Sequence, residues 1–500
     1  MLKKNLPTPI TVLMIVILVA AIATWTLPSG KYNTLSYENN AFVVRTTNSS
    51  AQLPATQKTL DSLDILITLD KFQSGSITKA VSIPGTYKSV PQNRQGIIDI
   101  IEAPIKGILD SIDIILFVLF IGGFMNVFYQ TGAMEKGLIY LSHRMKGREK
   151  WLIIVFTFLF SLGGSAWGMA EEALVFYPVL TPLFLAAGYD LLMPAAVILG
   201  GTALGSLSSF TNPFATIIAS NAAGVKWTDG FYERALMFIV STAVTIIYFE
   251  RYGRKIKKDP KASLVYKIDG DVQSPYPTLT TTEDIDVKLE TKTRLLLILF
   301  LSTFLVMITG VVFLDWWLTE MSAVFLGSAI IIALIIRMKE RVFVEKFIKG
   351  AEGLLSVAFI IGVARGVTII LNQGNISDTI LFYSAQLISR MPPTLFIVIL
   401  LALYVVFTIF ISSSSGMAVV TMPIMGSLSI IAGVPGREIV NAYLYGMGVL
   451  QFITPTGLML PSLALVNVSI KAWLRFMYPL LIILFIISAL FLVVGLQLAK

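Results

Sequence analysis

Long apolar runs separated by short polar ones repeat along this chain, and most runs have the length of a bilayer-crossing helix. The first covers 9–27, and further full spans are expected at about 110–130, 194–222, 231–249, 293–314, 321–337, 348–372, 438–467 and 476–497. Two stretches, 151–188 and 393–433, differ in kind. Each is about 40 residues long and broken at its centre, the first by Gly163-Gly164-Ser165-Ala166-Trp167-Gly168-Met169-Ala170-Glu171-Glu172, the second by Ser412-Ser413-Ser414-Ser415-Gly416-Met417-Ala418. Their arms are short for a full crossing, so both read as re-entrant hairpins whose irregular tips must be buried in protein or face a wet cavity. A further polar break follows each hairpin: Ser208-Ser209-Phe210-Thr211-Asn212-Pro213, then Gln451-Phe452-Ile453-Thr454-Pro455-Thr456-Gly457. The flanks keep step, since Pro178 and Gly188 recur as Pro423 and Gly433, and Lys106-Gly107 recurs as Lys349-Gly350. Paired interruptions in corresponding halves point to a transporter's binding site at the bilayer midplane.

The pattern divides the chain into six parts. These are a first transmembrane helix (1–29), an extracytoplasmic insertion (30–95) and a first repeat (96–250) with its hairpin at 151–188. A cytoplasmic linker (251–291), linking transmembrane helices (292–340) and a second repeat (341–500) with its hairpin at 393–433 follow. The insertion is rich in Ser, Thr and Asn, with strand-like patches such as 41–45. Amphipathic pieces at 95–109, 133–147 and 376–391 read as arms lying in the membrane interface. The expected fold class is an all-α polytopic membrane protein of two inverted repeats, with about nine full spans plus two re-entrant hairpins.

Composition fits a membrane protein: 55% of residues are hydrophobic and 14% charged, with a mean hydropathy of +0.79. Cysteine is absent, which excludes disulfides and thiolate metal sites. The net charge of +8 does not call for nucleic acid, because the basic residues lie between spans, where they orient the chain. Arg144, Lys146, Arg148 and Lys150 open the first hairpin; Arg251, Arg254, Lys255, Lys257, Lys258 and Lys261 follow one span; Arg337, Lys339 and Arg341 follow another. With Lys471 and Arg475 they share one side only if both broken stretches are hairpins, and that side is cytoplasmic by the positive-inside rule. The N-terminus is then inside, the C-terminus outside, and the repeats inverted. Arg390 and Arg437 stand as exceptions on the outer side. Lys3 and Lys4 before the 9–27 run, without a small-residue cleavage site, mark a retained helix rather than a signal peptide. The one histidine, His143, lies in a basic run and reads as a loop residue rather than a proton relay.

Ionisable groups at membrane depth are costly and point to function. Three stand out: Glu171, Glu172 and Arg365. The glutamates contact substrate or a coupling cation, or else complement the dipole of the helix they open. Arg365 binds a substrate carboxylate or neutralises a glutamate. Gly164, Ser165, Ser413, Ser414, Ser415 and Gly416 let backbone approach a ligand closely. Half-helix N-termini would meet anionic groups there, while Thr211, Asn212 and Thr454 are candidate Na+ ligands and Asn212 and Thr456 candidate substrate contacts. Any single Ser or Thr among these could instead bond back to its own helix. Trp167, Phe210, Phe214 and Tyr177 read first as packing, with Trp167, at the tip, kept as a candidate contact.

At these residues the chain resembles the YfcC-type branch of the C4-dicarboxylate anaerobic carrier family, within the ion transporter superfamily. The resemblance rests on the 163–172 motif, Asn212-Pro213-Phe214-Ala215-Thr216-Ile217-Ile218-Ala219-Ser220, the 412–418 motif, Ala364-Arg365-Gly366 and Lys257-Lys258-Asp259-Pro260. It covers nearly the whole chain outside 30–95. It implies a homodimer in the bacterial inner membrane, each protomer divided into a scaffold and an elevator-like transport domain holding the two hairpins. Relatives of this type include arginine/ornithine antiporters and dicarboxylate carriers. The chain departs from them at Ser165-Ala166-Trp167, where two threonines and an aromatic are usual, at Thr454-Pro455-Thr456-Gly457, where Pro-Thr-Ser-Gly is usual, and in its longer insertion.

The expectation is a secondary transporter without organic cofactor, driven by Na+, H+ or exchange, since no G-x-x-x-x-G-K-[ST] motif is present. Glu171, Glu172 and Arg365 together would give a cavity net charge of about −1, which suits a basic amino acid of the arginine, ornithine or lysine type. A dicarboxylate or other small carboxylate, carried with cations, is the alternative. An intramembrane hydrolase is the distant one, disfavoured by the lack of G-x-S-x-G and H-E-x-x-H motifs. A channel fits paired hairpins less well than alternating access does.

Overall fold

Apolar runs become helices here, and the breaks between them fall at residues that cannot continue a helix. The computed structural model describes residues 8–46, 49–73, 77, 80–145, 147–270, 272–276, 290–314, 316, 318–389, 391–411 and 413–498. Lys3, Lys4, Lys146, Arg390, Ser412 and linker residues 271 and 277–289 lie outside them, as do the side chains of 141–146, His143 and Arg144 included. Among the described residues six helices are long and apolar enough to cross a membrane: Pro9–Thr26, Ile112–Tyr129, Phe231–Lys258, Leu318–Ile335, Leu355–Gln373 and Ile470–Leu498. Thr291–Phe313 forms a helix over the expected 293–314 run.

Two expectations are corrected, and the runs at 194–222 and 438–467 are interrupted at the polar breaks the sequence marks. The first divides into Leu192–Ala195, a π turn at Ala196–Gly200, Gly201–Leu207, a break, a second π turn at Pro213–Ile217 and Ile218–Ala222. Pro213 brings no N–H to the preceding turn, and Asn212 caps the new one. The second divides into Gly436–Gln451 and Met459–Val466 around the Pro455 break. The span expected at 348–372 starts only at Leu355, because the residues before it belong to a separate helix, Glu340–Gly353. Nor is the chain all-α. It is mostly helical, but the insertion carries an antiparallel four-stranded sheet and a two-stranded one.

In the larger sheet, Thr34–Glu38 lies between Ala41–Arg45 and Val81–Ser82, with Ser50–Pro54 on the outer edge of Ala41–Arg45. Asn39 and Asn40, both at positive φ, make the two-residue turn joining its central strands. Leu35, Phe42, Leu60, Ile67 and Phe72 are buried beneath the sheet. The insertion docks on the Ser377–Ile388 helix, where the Tyr32 N–H donates to Asp378 Oδ2 at 3.0 Å and Tyr87 stacks on Phe382 at 4.0 Å. On the linker, Ser263 Oγ and Tyr252 Oη donate to the half-buried Asp190 at 2.6 and 2.5 Å.

The helical part repeats its element order. Ile97–Asp110, Ile112–Tyr129, Ala133–Met145 and Lys150–Ala166 are answered by Glu340–Gly353, Leu355–Gln373, Ser377–Ile388 and Pro393–Phe410. Packing is reciprocal: Ile97–Asp110 lies along Leu355–Gln373, and Glu340–Gly353 lies along Ile112–Tyr129. Glycines permit both approaches. A Cβ at Gly107 would strike the Gly362 carbonyl, and one at Gly350 the Gly122 carbonyl. The order of these contacts makes the two kinked helix pairs antiparallel. Deeper in, Gly201–Leu207 packs on Lys150–Ala166 as Gly436–Gln451 packs on Pro393–Phe410, and the two sets meet where Gly448 presses on the Leu207 backbone.

Candidate functional site

Each hairpin tip is an interrupted helix. Lys150–Ala166 ends at Trp167, Gly168 turns the chain at φ +81°, and a 3-10 turn at Glu171–Phe176 leads into Tyr177–Ala186. Pro393–Phe410 ends before Ile411, and Ser413 caps Ser414–Ala432 by accepting the Gly416 N–H at 3.2 Å.

Each tip is fastened to the break that follows it. Thr211 Oγ1 donates to the Ala166 carbonyl at 3.0 Å and Asn212 Nδ2 to the Gly164 carbonyl at 3.2 Å. Ser165 Oγ donates to the Ser208 carbonyl at 2.9 Å and accepts the Phe210 N–H at 3.2 Å. In the second half, Thr456 Oγ1 donates to the Ile409 carbonyl at 3.4 Å and Thr454 Oγ1 to the Thr408 carbonyl at 3.5 Å. Asn212 also accepts the Phe214 and Ala215 N–H groups at 2.9 and 3.1 Å, which fixes its amide orientation.

Between the two tips and the two breaks lies a cavity of about 350 Å³. Glu171, Glu172, Asn212, Arg365, Ser413, Ser414, Ser415, Thr454 and Thr456 all line it. Gly164, Ser165, Trp167, Thr211 and Gly416 are not in its lining. Ser165 is fully buried in the fastening just described, Gly164 lets the Gly201–Leu207 helix close on the tip, and Trp167 ends its helix half-buried. Thr211, Asn212 and Thr454, the candidate Na+ ligands, each hold a bond that closes their own tip. Among the described residues no group of three or more His, Cys, Asp or Glu side chains could hold a metal ion.

Sequence reasoning missed one charged residue of the cavity. Asp110 lines it and pairs with Arg365, Nε donating to Oδ2. Arg365 is thus bound neither to a glutamate nor isolated. Asp110 escaped notice because it sits at the boundary between an amphipathic helix and a span, 255 residues from its partner. Glu172 accepts the Ala170 N–H at 2.9 Å, and among the described residues neither Glu171 nor Glu172 has an ion-pair partner. Three carboxylates therefore face one guanidinium, an excess of two negative charges if all are ionised. Also missed were Thr202 and Ser206, polar positions on an otherwise apolar helix that line the wall.

The chain is similar to known membrane carriers over its whole length. It is 37% identical to an uncharacterised protein of Haemophilus influenzae, with 99% of this chain and 97% of that one aligned. It is 27% identical to the Escherichia coli protein named "Putative basic amino acid antiporter YfcC", covering 99% of this chain and 96% of that one. Among solved structures, MtrF of Neisseria gonorrhoeae, described with a class of antimetabolite efflux pumps, aligns at a TM-score of 0.40 and 16% identity, covering 99% and 96% of the two chains. The YdaH transporter of Alcanivorax borkumensis aligns at 0.39 and 12%, covering 99% of each. The family profile described as C4-dicarboxylate anaerobic carrier matches residues 6–497. With that match and the YfcC likeness, the chain belongs to the C4-dicarboxylate anaerobic carrier family, in its YfcC-type branch, and is a multi-pass membrane protein of a transporter family.

Proposed function

We propose that this protein is a secondary transporter or antiporter of basic amino acids. The observation that carries the reading is the charge of the cavity wall, where Glu171, Glu172 and Asp110 outnumber Arg365. A solute with an α-ammonium and a cationic side chain would satisfy both unpaired glutamates, and its carboxylate would go to Arg365 or to the capped N-terminus of Ser414–Ala432. An unmatched charge in such a cavity is costly, so the pairing discriminates sharply. The name of the Escherichia coli relative agrees in substrate class.

A second reading, a dicarboxylate or other small carboxylate carried with Na+ or H+, draws support from the family's description and from two helix N-termini, at Asn212 and Ser413, that open on the cavity. In both readings the protein works as an elevator. A domain holding both hairpins, within inverted repeats 96–250 and 341–500, moves against a scaffold built around Ile112–Tyr129 and Leu355–Gln373 in a homodimer. The N-terminus lies in the cytoplasm and the C-terminus outside. Purified protein in liposomes should take up labelled arginine, lysine or ornithine, and Glu172→Gln should reduce uptake by at least about tenfold, the effect of losing one charge-assisted contact. Binding of succinate with indifference to all three amino acids would overturn the basic amino acid reading.

A further inference from the structure

Arg365 is the one guanidinium among the described residues lining the cavity, and a residue of the protein itself already occupies it. Asp110 closes the Ile97–Asp110 helix and stands directly before Ser111, the N-cap of Ile112–Tyr129. The close backbone contact of Gly107 with Gly362 and Gly366 sets that helix against Leu355–Gln373 and brings Asp110 to Arg365. Neither member is sealed away: the Arg365 side chain is 34% exposed and that of Asp110 47%, and both border the cavity. We propose that Asp110 is an internal stand-in for the substrate's carboxylate, held by Arg365 when the cavity is empty and displaced from it when a carboxylate-bearing solute binds. Exchanging one carboxylate for another keeps the guanidinium matched in both states, so the swap avoids the desolvation cost of a bare cation. An empty carrier with a matched Arg365 can also reorient, which permits net uptake as well as exchange.

This inference rests on the cavity being the binding site for a carboxylate-bearing solute, as proposed above. It is tested on the full-length protein with arginine and with agmatine, which keeps the guanidinium chain but lacks the carboxylate. Asp110→Asn and Asp110→Ser should each tighten arginine binding by roughly two- to fivefold, the scale of a partly exposed ion pair no longer competing, and leave agmatine unchanged. Net uptake into empty liposomes should fall while exchange into arginine-loaded liposomes persists. Asp110→Glu should keep the original preference, and Asp110→Asn in an Arg365→Gln background should have no further effect. Equal shifts for both ligands, weaker arginine binding, or an effect that survives Arg365→Gln would overturn the stand-in role. So would failure of the Asn and Ser variants to fold where Asp110→Glu folds. If the unaltered protein binds no basic amino acid, the substrate reading fails, and succinate with its diamide replaces the first pair. Tightening of succinate alone in Asp110→Asn would then sustain the stand-in role, and no change, or no binding of succinate at all, would overturn it.

Discussion

Arg234 has no exposed surface, although sequence reasoning counted only Glu171, Glu172 and Arg365 as charges at depth. Its guanidinium donates to Asn441 Oδ1 at 3.3 Å and to the Trp227 carbonyl. Asn441 in turn donates to Glu233 and to the buried Glu438, at 3.2 and 3.3 Å, and Arg437 pairs with both glutamates at 3.3 and 3.4 Å. The network joins the first turns of Phe231–Lys258 and Gly436–Gln451, away from the cavity lining. Removing the guanidinium leaves buried acceptors without their donor, at a cost of about 1–3 kcal/mol each. Arg234→Gln should therefore lower the melting temperature in detergent clearly, whereas Glu172→Gln, at the half-buried cavity wall, should change it little. Nothing in the sequence near Arg234 separated it from the basic residues at other span ends, because its side-chain partner Asn441 stands 207 residues away.

At the scale of elements, most of the pattern was legible. The strand-like patch at 41–45 is the strand Ala41–Arg45, and the amphipathic pieces at 95–109, 133–147 and 376–391 are Ile97–Asp110, Ala133–Met145 and Ser377–Ile388. What escaped has a physical cause. The kink at Leu354 lies where Leu354 and Leu355 carry the apolar run on with no proline at the junction, so periodicity runs through it, whereas the boundary at Ser111 falls beside the expected change from an amphipathic piece at 95–109 to a span at 110–130. The 3-10 and π turns around Glu171 and Pro213 differ from α-helix only in hydrogen-bond register, which composition does not report. The tips and breaks were visible because clustered Gly, Ser, Thr and Pro leave backbone groups that apolar surroundings cannot satisfy. The reciprocal glycine contacts yield a prediction at this scale. Gly107→Val and Gly350→Val each force a side chain into a backbone carbonyl, and each should destabilise the protein by about 1–3 kcal/mol, read from thermal unfolding. Gly327→Val, with nothing near its added Cβ, is the control that should be nearly silent.

For the molecule as a whole, the elevator reading makes a prediction that the cysteine-free sequence suits. The Leu355–Gln373 and Met459–Val466 helices touch, one assigned to the scaffold and the other to the hairpin-bearing domain. A disulfide engineered between them should stop turnover, spare substrate binding and be reversed by reductant. Undiminished transport in a fully cross-linked sample would show that the two helices do not part during the cycle. The fastening of both tips has a further consequence. Lifting either one would leave several polar groups without partners, each costing about 1–3 kcal/mol. In the elevator reading the compartment behaves as a rigid bucket rather than a valve: it would be carried whole, and its walls would not stretch around a bulkier load. A cargo hold of fixed capacity sorts by size as strictly as by charge, so solutes longer than the hold should be refused even when every ionic group on them finds its match.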